Sequence, residues 1–411
     1  MKFRKVFNLA SKLINVLIPT HQNRYYFRYL ENAPGDYYDV LNYGSSNMFS
    51  IINYVANHWN GEKLELIVEY YDNNRLDDYK KFSEMALKRN VFIRFIEGPK
   101  YKNEGINFFL EVKNSILRFS SKYWINESGG TTFFGKLKSQ RIICTNYFIS
   151  CKNDYIPEKR NRWGFIDELL TTALLPSQII SCSVGVALDK CMITGFPRND
   201  TILNSKKKEY VYEWLKSIIS FNPEKIIVFA PTYRDYERNV SGHRPLFGYD
   251  THDLQAFLEK TESIIIYKLH PYHTIDIDSV PKNIIPYYSN YNFSLYDVMS
   301  VADSVICDYS SVAYDFLLAD KPIIYNLYDL EQYEATRGLS YEPYDLFCAG
   351  EIVKNEEELI GALEHVVYGK DLYRERRREM TKIFHKYTDS DSVQRAYEIV
   401  FADLLKEQRN G

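Results

Sequence analysis

Several common protein classes are argued against by what this chain has little of. Its six cysteines (Cys144, Cys151, Cys182, Cys191, Cys307, Cys348) form no C-x-x-C pair. Most of them sit in apolar runs, which argues against a zinc site and for reduced, mostly buried thiols in a cytosolic setting. Neither G-x-x-x-x-G-K-[ST] nor G-x-G-x-x-G occurs, so a Walker ATPase and a dinucleotide fingerprint are both disfavoured. A formal net charge of -3 provides no global cationic field, so no nucleic-acid partner is expected and any anionic ligand has to be held locally. No segment is biased enough in composition to suggest disorder, and no repeat of solenoid length appears.

What is present is ordinary globular material, 45% hydrophobic and 26% charged, in a chain of 411 residues. That length exceeds the roughly 250 to 300 residues at which a single core stops growing, so two domains are expected. The opening "MKFRKVFNLASKLINVLIPT" spaces Phe3, Val6, Phe7, Ala10, Leu13, Ile14 and Leu17 as on one helix face, with Lys2, Arg4, Lys5 and Lys12 mostly elsewhere. This basic amphipathic helix, 1–18, is too short and too charged to span a bilayer. Packing on its own domain and anchoring on an anionic lipid surface both remain open.

From residue 19 the chain alternates strand and helix. "NRYYFRYL", "KLELIVEYY", "VFIRFIEG", "SKYWINES" and "QRIICTNYFIS" are predicted strands of a first half, with helices such as "SNMFSIINYVANHW" between them. "KIIVFAPTY", "SIIIYKLHP", "SVICDYSS" and "KPIIYNL" repeat the rhythm in a second half. Between the halves, Gly195, Pro197 and Asn199 of "TGFPRNDTIL" interrupt periodicity as a linker does. The division is 19–199 and 200–390, with a C-terminal helix over 391–411 expected to return to the N-terminal domain. Two doubly wound α/β domains leave a cleft between the carboxyl ends of their sheets, where ligands bind in such folds.

Three second-half strands end in polar groups. Ile226 to Ala230 leads to Thr232 and Arg234, Ile264 to Leu269 to His270, and Ser304 to Cys307 to Asp308, Ser310 and Ser311. The two serines stand where a helix begins, so they serve either as an ordinary cap or as a phosphate site formed with free N–H groups. Arg234 adds a guanidinium suited to phosphate, and Lys268 a cation beside His270. An imidazole at a strand end can move a proton or stabilise a charged phosphate.

The blocks "TGFPRND", "FAPTYRD", "YKLHP", "ICDYSSVAYDFLLADKPIIYNLYDLEQYEATRGL" and "HKYTDSDSVQRAYEIV" resemble, in order and spacing, the CDP-glycerol glycerophosphotransferase family of teichoic acid primases and polymerases. The resemblance covers roughly the C-terminal half. It implies a GT-B-like pair of Rossmann-type domains and a CDP-alditol donor held by the second domain. It also implies a lipid-linked saccharide acceptor at the cytoplasmic face of the plasma membrane, which favours the N-terminal helix as a peripheral anchor. The family roles fall on His270 as catalytic histidine and on Thr232, Arg234, Lys268, Asp308, Ser310 and Ser311 as donor-phosphate or nucleotide contacts. No cofactor is implied, and a loosely bound Mg²⁺ stays open.

One departure matters. Where the family offers "WHGTP" in the first domain, this chain has Asn146, Tyr147 and Phe148. A tyrosine of ordinary pKa near 10 is a poor base at neutral pH. Glu127, Tyr147 and Asp154 are therefore the acceptor-side candidates. The missing histidine keeps two rivals in view: a GT-B glycosyltransferase using a nucleotide sugar, and a non-catalytic paralogue that binds nucleotide or acceptor.

Overall fold

The computed structural model describes residues 19–28, 46–70, 76–98, 108–127, 137–146, 149, 151–152, 163, 165–232, 234, 245–268, 282–288 and 291–410. The predicted helix over 1–18 lies outside them.

The first sheet comprises β1 (His21–Arg28), β2 (Leu64–Tyr70), β3 (Val91–Glu97), β4 (Ser121–Asn126), β5 (Arg141–Cys144), β6 (Glu168–Thr171) and β7 (Cys191–Ile193). Helices α1 (Asn47–His58), α2 (Leu76–Leu87), α3 (Phe108–Phe119) and α4 (Leu174–Val184) alternate with these strands. Its spatial order is β3-β2-β1-β4-β5-β6-β7, with every pairing parallel.

The second sheet comprises β8 (Lys225–Phe229), β9 (Ser263–Lys268), β10 (Ile284–Tyr287), β11 (Ser304–Cys307), β12 (Ile323–Asn326) and β13 (Glu351–Val353), in the order β10-β9-β8-β11-β12-β13. Helices α5 (Asp200–Asn204), α6 (Lys208–Ile218), α7 (Leu254–Lys260), α8 (Leu295–Val301), α9 (Val312–Phe316), α10 (Leu330–Thr336), α11 (Glu356–Val367) and α12 (Arg374–Phe384) accompany it. Two more, α13 (Ser392–Val400) and α14 (Ala402–Asn410), close the chain.

The apolar runs of the sequence become strands because both faces of each sheet are covered. In β8, Ile226 and Val228 enter one core cluster while Ile227 and Phe229 enter another across the sheet. Ile264 and Ile266 of β9 follow the first pair, and Ile265 and Tyr267 the second, as the two-residue period of a strand requires. The strand order reverses between β1 and β4 in one sheet and between β8 and β11 in the other. Crevices at the carboxyl ends of those pairs are the places where open α/β sheets take ligands.

Three stretches of chain lace the halves together. Ala396 and Val400 of α13, with Phe401 and Leu404, are buried in the core formed by Tyr25, Phe27, Val55 and Trp59 of the first domain. Ile149 and Cys151 belong to the core of the second domain, and Lys152 pairs antiparallel with Leu339. The linker is the third. Asp200 accepts hydrogen bonds from the N–H groups of Ser392 (3.1 Å) and Val393 (2.8 Å), and Arg395 Nε donates to the Thr194 carbonyl at 2.8 Å. Gly195 makes that approach possible. Its φ is +78°, and a Cβ there would lie 2.3 Å from Ser392 Oγ.

Among the described residues no helix is long and apolar enough to cross a membrane. Gly195→Ala is expected to lower the unfolding free energy by about 1 to 3 kcal/mol, the cost of a strained left-handed residue, before the clash is counted. Urea denaturation followed by circular dichroism measures it, and an unchanged midpoint would show that the linker does not need this conformation.

Candidate functional site

At the second sheet's switch point, the chain leaving β8 meets the loop leaving β11. Arg234 Nη1 donates to Asp308 Oδ2 at 2.6 Å and to the Thr232 carbonyl at 2.6 Å. Its Nε and Nη2 donate to the two oxygens of Asp329 at 2.7 and 3.0 Å. Asp308 in turn accepts from the Thr232 N–H at 2.9 and 3.0 Å. The guanidinium also lies over the rings of Tyr309, Tyr328 and Tyr333, 5.1 to 5.5 Å from their centroids. Tyr309 stacks on Tyr333 with 3.8 Å between centroids, and its hydroxyl donates to Asp329 at 3.0 Å.

This geometry changes the expected roles of Arg234 and Asp308. Both side chains are 3% exposed, and they are bonded to each other instead of facing a ligand. Burial works against the Arg234 charge, but Asp308 and Asp329 more than offset it and hold its pKa above the ordinary arginine value. The pair fixes the loops after β8 and β11 against one another. Among the described residues the buried Thr232 hydroxyl has no partner, a donor that the frame leaves unsatisfied.

The serines also differ from expectation. α9 has five residues and passes into a 3₁₀ turn, Leu317–Ala319, so the helix that begins after the serines is short and has little dipole to offer. Ser311 makes no side-chain cap, and Ser310 Oγ accepts only a long 3.4 Å bond from the Val312 N–H. The amides of Ala313 and Tyr314 bond back to Ser310 and Ser311 carbonyls at 3.2 and 3.1 Å. What this loop presents is hydroxyls, not a helix N-terminus. Lys268 ends β9, half-buried; His270, Tyr147 and Asp154 lie outside the described residues.

At the first sheet's switch point, Glu127 directly follows β4 and is buried at 7% exposure. Ser46 caps α1: its Oγ accepts from the Phe49 N–H at 3.2 Å and donates to Glu127 Oε1 at 2.8 Å. Burial raises the Glu127 carboxyl from 4.5 to about 7, moderated by Ser46, by the Arg198 charge, and by the N–H groups of Asn47 and Met48. The preceding Asn126, on the opposite face of β4, is fully buried, and among the described residues neither amide atom of its side chain has a partner.

A buried chain of contacts joins the two switch points. The Arg198 N–H donates to Asn47 Oδ1 at 3.1 Å, and Arg198 Nη2 to Asp315 Oδ2 at 2.9 Å. Asn199 (2.9 Å) and the Tyr296 hydroxyl (2.7 Å) also donate to Asp315. Asp315 sits in α9, immediately beyond the two serines. Sequence reasoning missed Arg198, Asp315 and Asp329, treating the first as linker. A charged residue inside each otherwise apolar or turn-forming motif was the available signal.

The architecture is that of GT-B-like proteins, with two Rossmann-type domains opposed across a cleft. The chain belongs to the CDP-Glycerol:Poly(glycerophosphate) glycerophosphotransferase family, whose model matches residues 76–402. It is 29% identical over 187 residues to the teichoic acid ribitol-phosphate polymerase TarL of Staphylococcus aureus, covering 45% of this chain and 33% of TarL. With the teichoic acid glycerol-phosphate transferase of the same species it shares 28% identity over 251 residues, 60% of this chain and 63% of that one. The chain thus matches about a third to just under two thirds of the length of these relatives. A solved structure of the wall teichoic acid polymerase TagF superposes with a TM-score of 0.72 at 18% identity, covering 98% of this chain and 93% of the other.

Removing one partner of the buried pair should be costly. Asp308→Ala is expected to reduce the unfolding free energy by about 3 to 5 kcal/mol, because Arg234 stays buried with half its anionic partners gone. A loss below about 1 kcal/mol in chemical denaturation would mean the pair does not hold this loop.

Proposed function

We propose that the protein transfers glycerol phosphate or ribitol phosphate from a CDP-alditol to a hydroxyl of a membrane-linked acceptor, in the synthesis of a teichoic-acid-like or capsular polymer. The observation that carries this reading is the cluster of polar strand ends at the β8/β11 switch point, in the half of the chain where the family motifs lie. The Ser310 and Ser311 hydroxyls and the Thr232 hydroxyl, on loops clamped by Arg234, Asp308 and Asp329, are the groups this reading assigns to the donor phosphates.

In the reaction, the acceptor oxygen bonds to the β-phosphorus while the bond from that phosphorus to the bridging oxygen breaks. CMP leaves with the bridging oxygen, and the acceptor's proton passes to a base. Such a transfer needs mainly alignment and neutralisation of charge on the phosphoryl oxygens. Thr232 and the two serines donate hydrogen bonds to those oxygens. Lys268 and His270, at and just beyond the end of β9, supply the positive charge that Arg234, committed to two carboxylates, does not. Arg234 and Asp308 position the site and are not assigned contacts with the donor.

A panel of CDP-glycerol, CDP-ribitol and nucleotide sugars tests the reading. CMP release from a CDP-alditol alone is expected, and His270→Ala should slow it by about 10²-fold or more. Release of UDP from a sugar donor would favour a glycosyltransferase, and donor binding without turnover a silent paralogue. Unchanged turnover in His270→Ala would place the centre elsewhere.

The same reading puts the protein on the cytoplasmic membrane face through its basic amphipathic segment. Deleting residues 2–17 should move it from the membrane to the soluble fraction on centrifugation. Unchanged partitioning would return the segment to a packing role.

A further inference from the structure

Glu127 has features that a simple helix cap does not need. A cap can be exposed and fully ionised; Glu127 takes the Asn47 and Met48 N–H groups of α1 while Ser46 takes that of Phe49. Glu127 is instead buried at the carboxyl end of β4, one of the two strands that flank the first sheet's reversal of order. That is the position matching Asp308, which follows β11 at the reversal of the second sheet. The carboxylate is fixed by Ser46, 2.8 Å away, and faces the buried Arg198 charge. Arg198 is in turn bonded to Asp315, in the helix following the serine loop, so the Glu127 crevice and the donor-side crevice are held in one register.

Resting on the transferase reading above, we infer that the crevice at the carboxyl ends of β1 and β4 seats the acceptor hydroxyl, and that Glu127 is the base that receives its proton. The hydroxyl O–H bond breaks as the oxygen bonds to the donor's β-phosphorus. Its proton passes to the Glu127 carboxylate and its electron pair goes to phosphorus, while CMP departs with the pair of the cleaved P–O bond. A carboxyl that ionises near pH 7 suits this task, being available as the anion at neutral pH and basic enough to accept a proton.

The pH profile can be assigned because of what surrounds the group. Arg198 of the linker is held above the ordinary arginine value by Tyr296 and Asp315 despite its burial. Burial keeps the Tyr296 hydroxyl of α8 protonated well above the usual tyrosine range. Asp315 of α9 is bonded to Arg198, Asn199 and Tyr296, and the Cys144 thiol of β5 donates to the Glu127 backbone carbonyl at 3.7 Å.

The test uses the full chain, CDP-glycerol and CDP-ribitol as donors, and a short-chain lipid diphosphate disaccharide as acceptor probe, with donor hydrolysis by water recorded in parallel. Wild-type kcat/KM is expected to rise with pH through a limb near 7. Glu127→Gln should lower kcat by about 10²-fold or more while donor affinity by calorimetry stays within threefold, and Glu127→Asp should recover part of the rate. Ser46→Ala removes a hydrogen bond to the charged carboxylate, so its limb should move to higher pH, a shift that a purely structural Glu127 would not produce. Turnover of Glu127→Gln within threefold of wild type, or a limb unmoved in Ser46→Ala, overturns the assignment alone. If wild type releases CMP from neither donor, the transferase reading fails and this assignment falls with it.

Discussion

Arg198 donates to Asp315 across 2.9 Å, from the segment joining the two domains into the helix beyond the serine loop, with side chains 5% and 0% exposed. Burying such a pair costs several kcal/mol per ion in desolvation, so the contact is a weak source of net stability. What it supplies is orientation. Its ends cannot move apart without leaving a bare charge in the interior, and Asn199 and Tyr296 use the remaining capacity of the same carboxylate. The relative placement of the two sheets, and therefore of their two switch-point crevices, depends on this junction together with α13 and the segment around Cys151.

A second buried guanidinium performs the same work within one domain. Arg234 spans Asp308 and Asp329, so the loops after β8 and β11 and the residue before α10 meet at one point. The three tyrosine rings around it exclude water and favour a planar cation. Gly248 takes part in this arrangement. At φ +86° its backbone approaches the Tyr328 ring so closely that a Cβ would lie 2.2 Å away. With its positive charge neutralised by two carboxylates, this frame attracts an anion only weakly. The proposed donor site therefore relies on hydroxyls and on the cations at the end of β9.

The fold was legible wherever strands were long enough to show a pattern. The apolar runs of β2, β8 and β9 appear as predicted, because buried parallel strands are nearly continuous in Val, Ile and Leu. The strands β6, β7, β10 and β13 were not foreseen. Each has three or four residues, too few for a period of two to be distinguished from chance, and each is held by its hydrogen bonds to the strand beside it. At the candidate site, the sequence marked polar strand ends but not the direction of their side chains. Nothing in "FAPTYRD" reveals that Arg234 turns inward, since that depends on Asp329, 95 residues later.

That difference bears on what a family resemblance reports. The block around 194–200 contributes Arg198 and Asn199, the block around 229–235 contributes Arg234, and the long block from 306 contributes Asp308, Asp315 and Asp329. All six side chains enter one or other of the two buried ionic networks. A recurrent motif of this kind describes the frame that sets the crevice as much as the atoms that meet a ligand. Shared motifs in the second half therefore argue for a shared donor-side geometry, whereas the acceptor side is free to use other groups on an equivalent strand end. The first domain fits that expectation. Where the family pattern places a histidine after β5, this chain has none, yet it carries a buried, fixed carboxylate after the neighbouring β4. Since β4 and β5 are adjacent parallel strands, a base moved from one to the other crosses only about 5 Å, well within the reach of a small adjustment in acceptor pose.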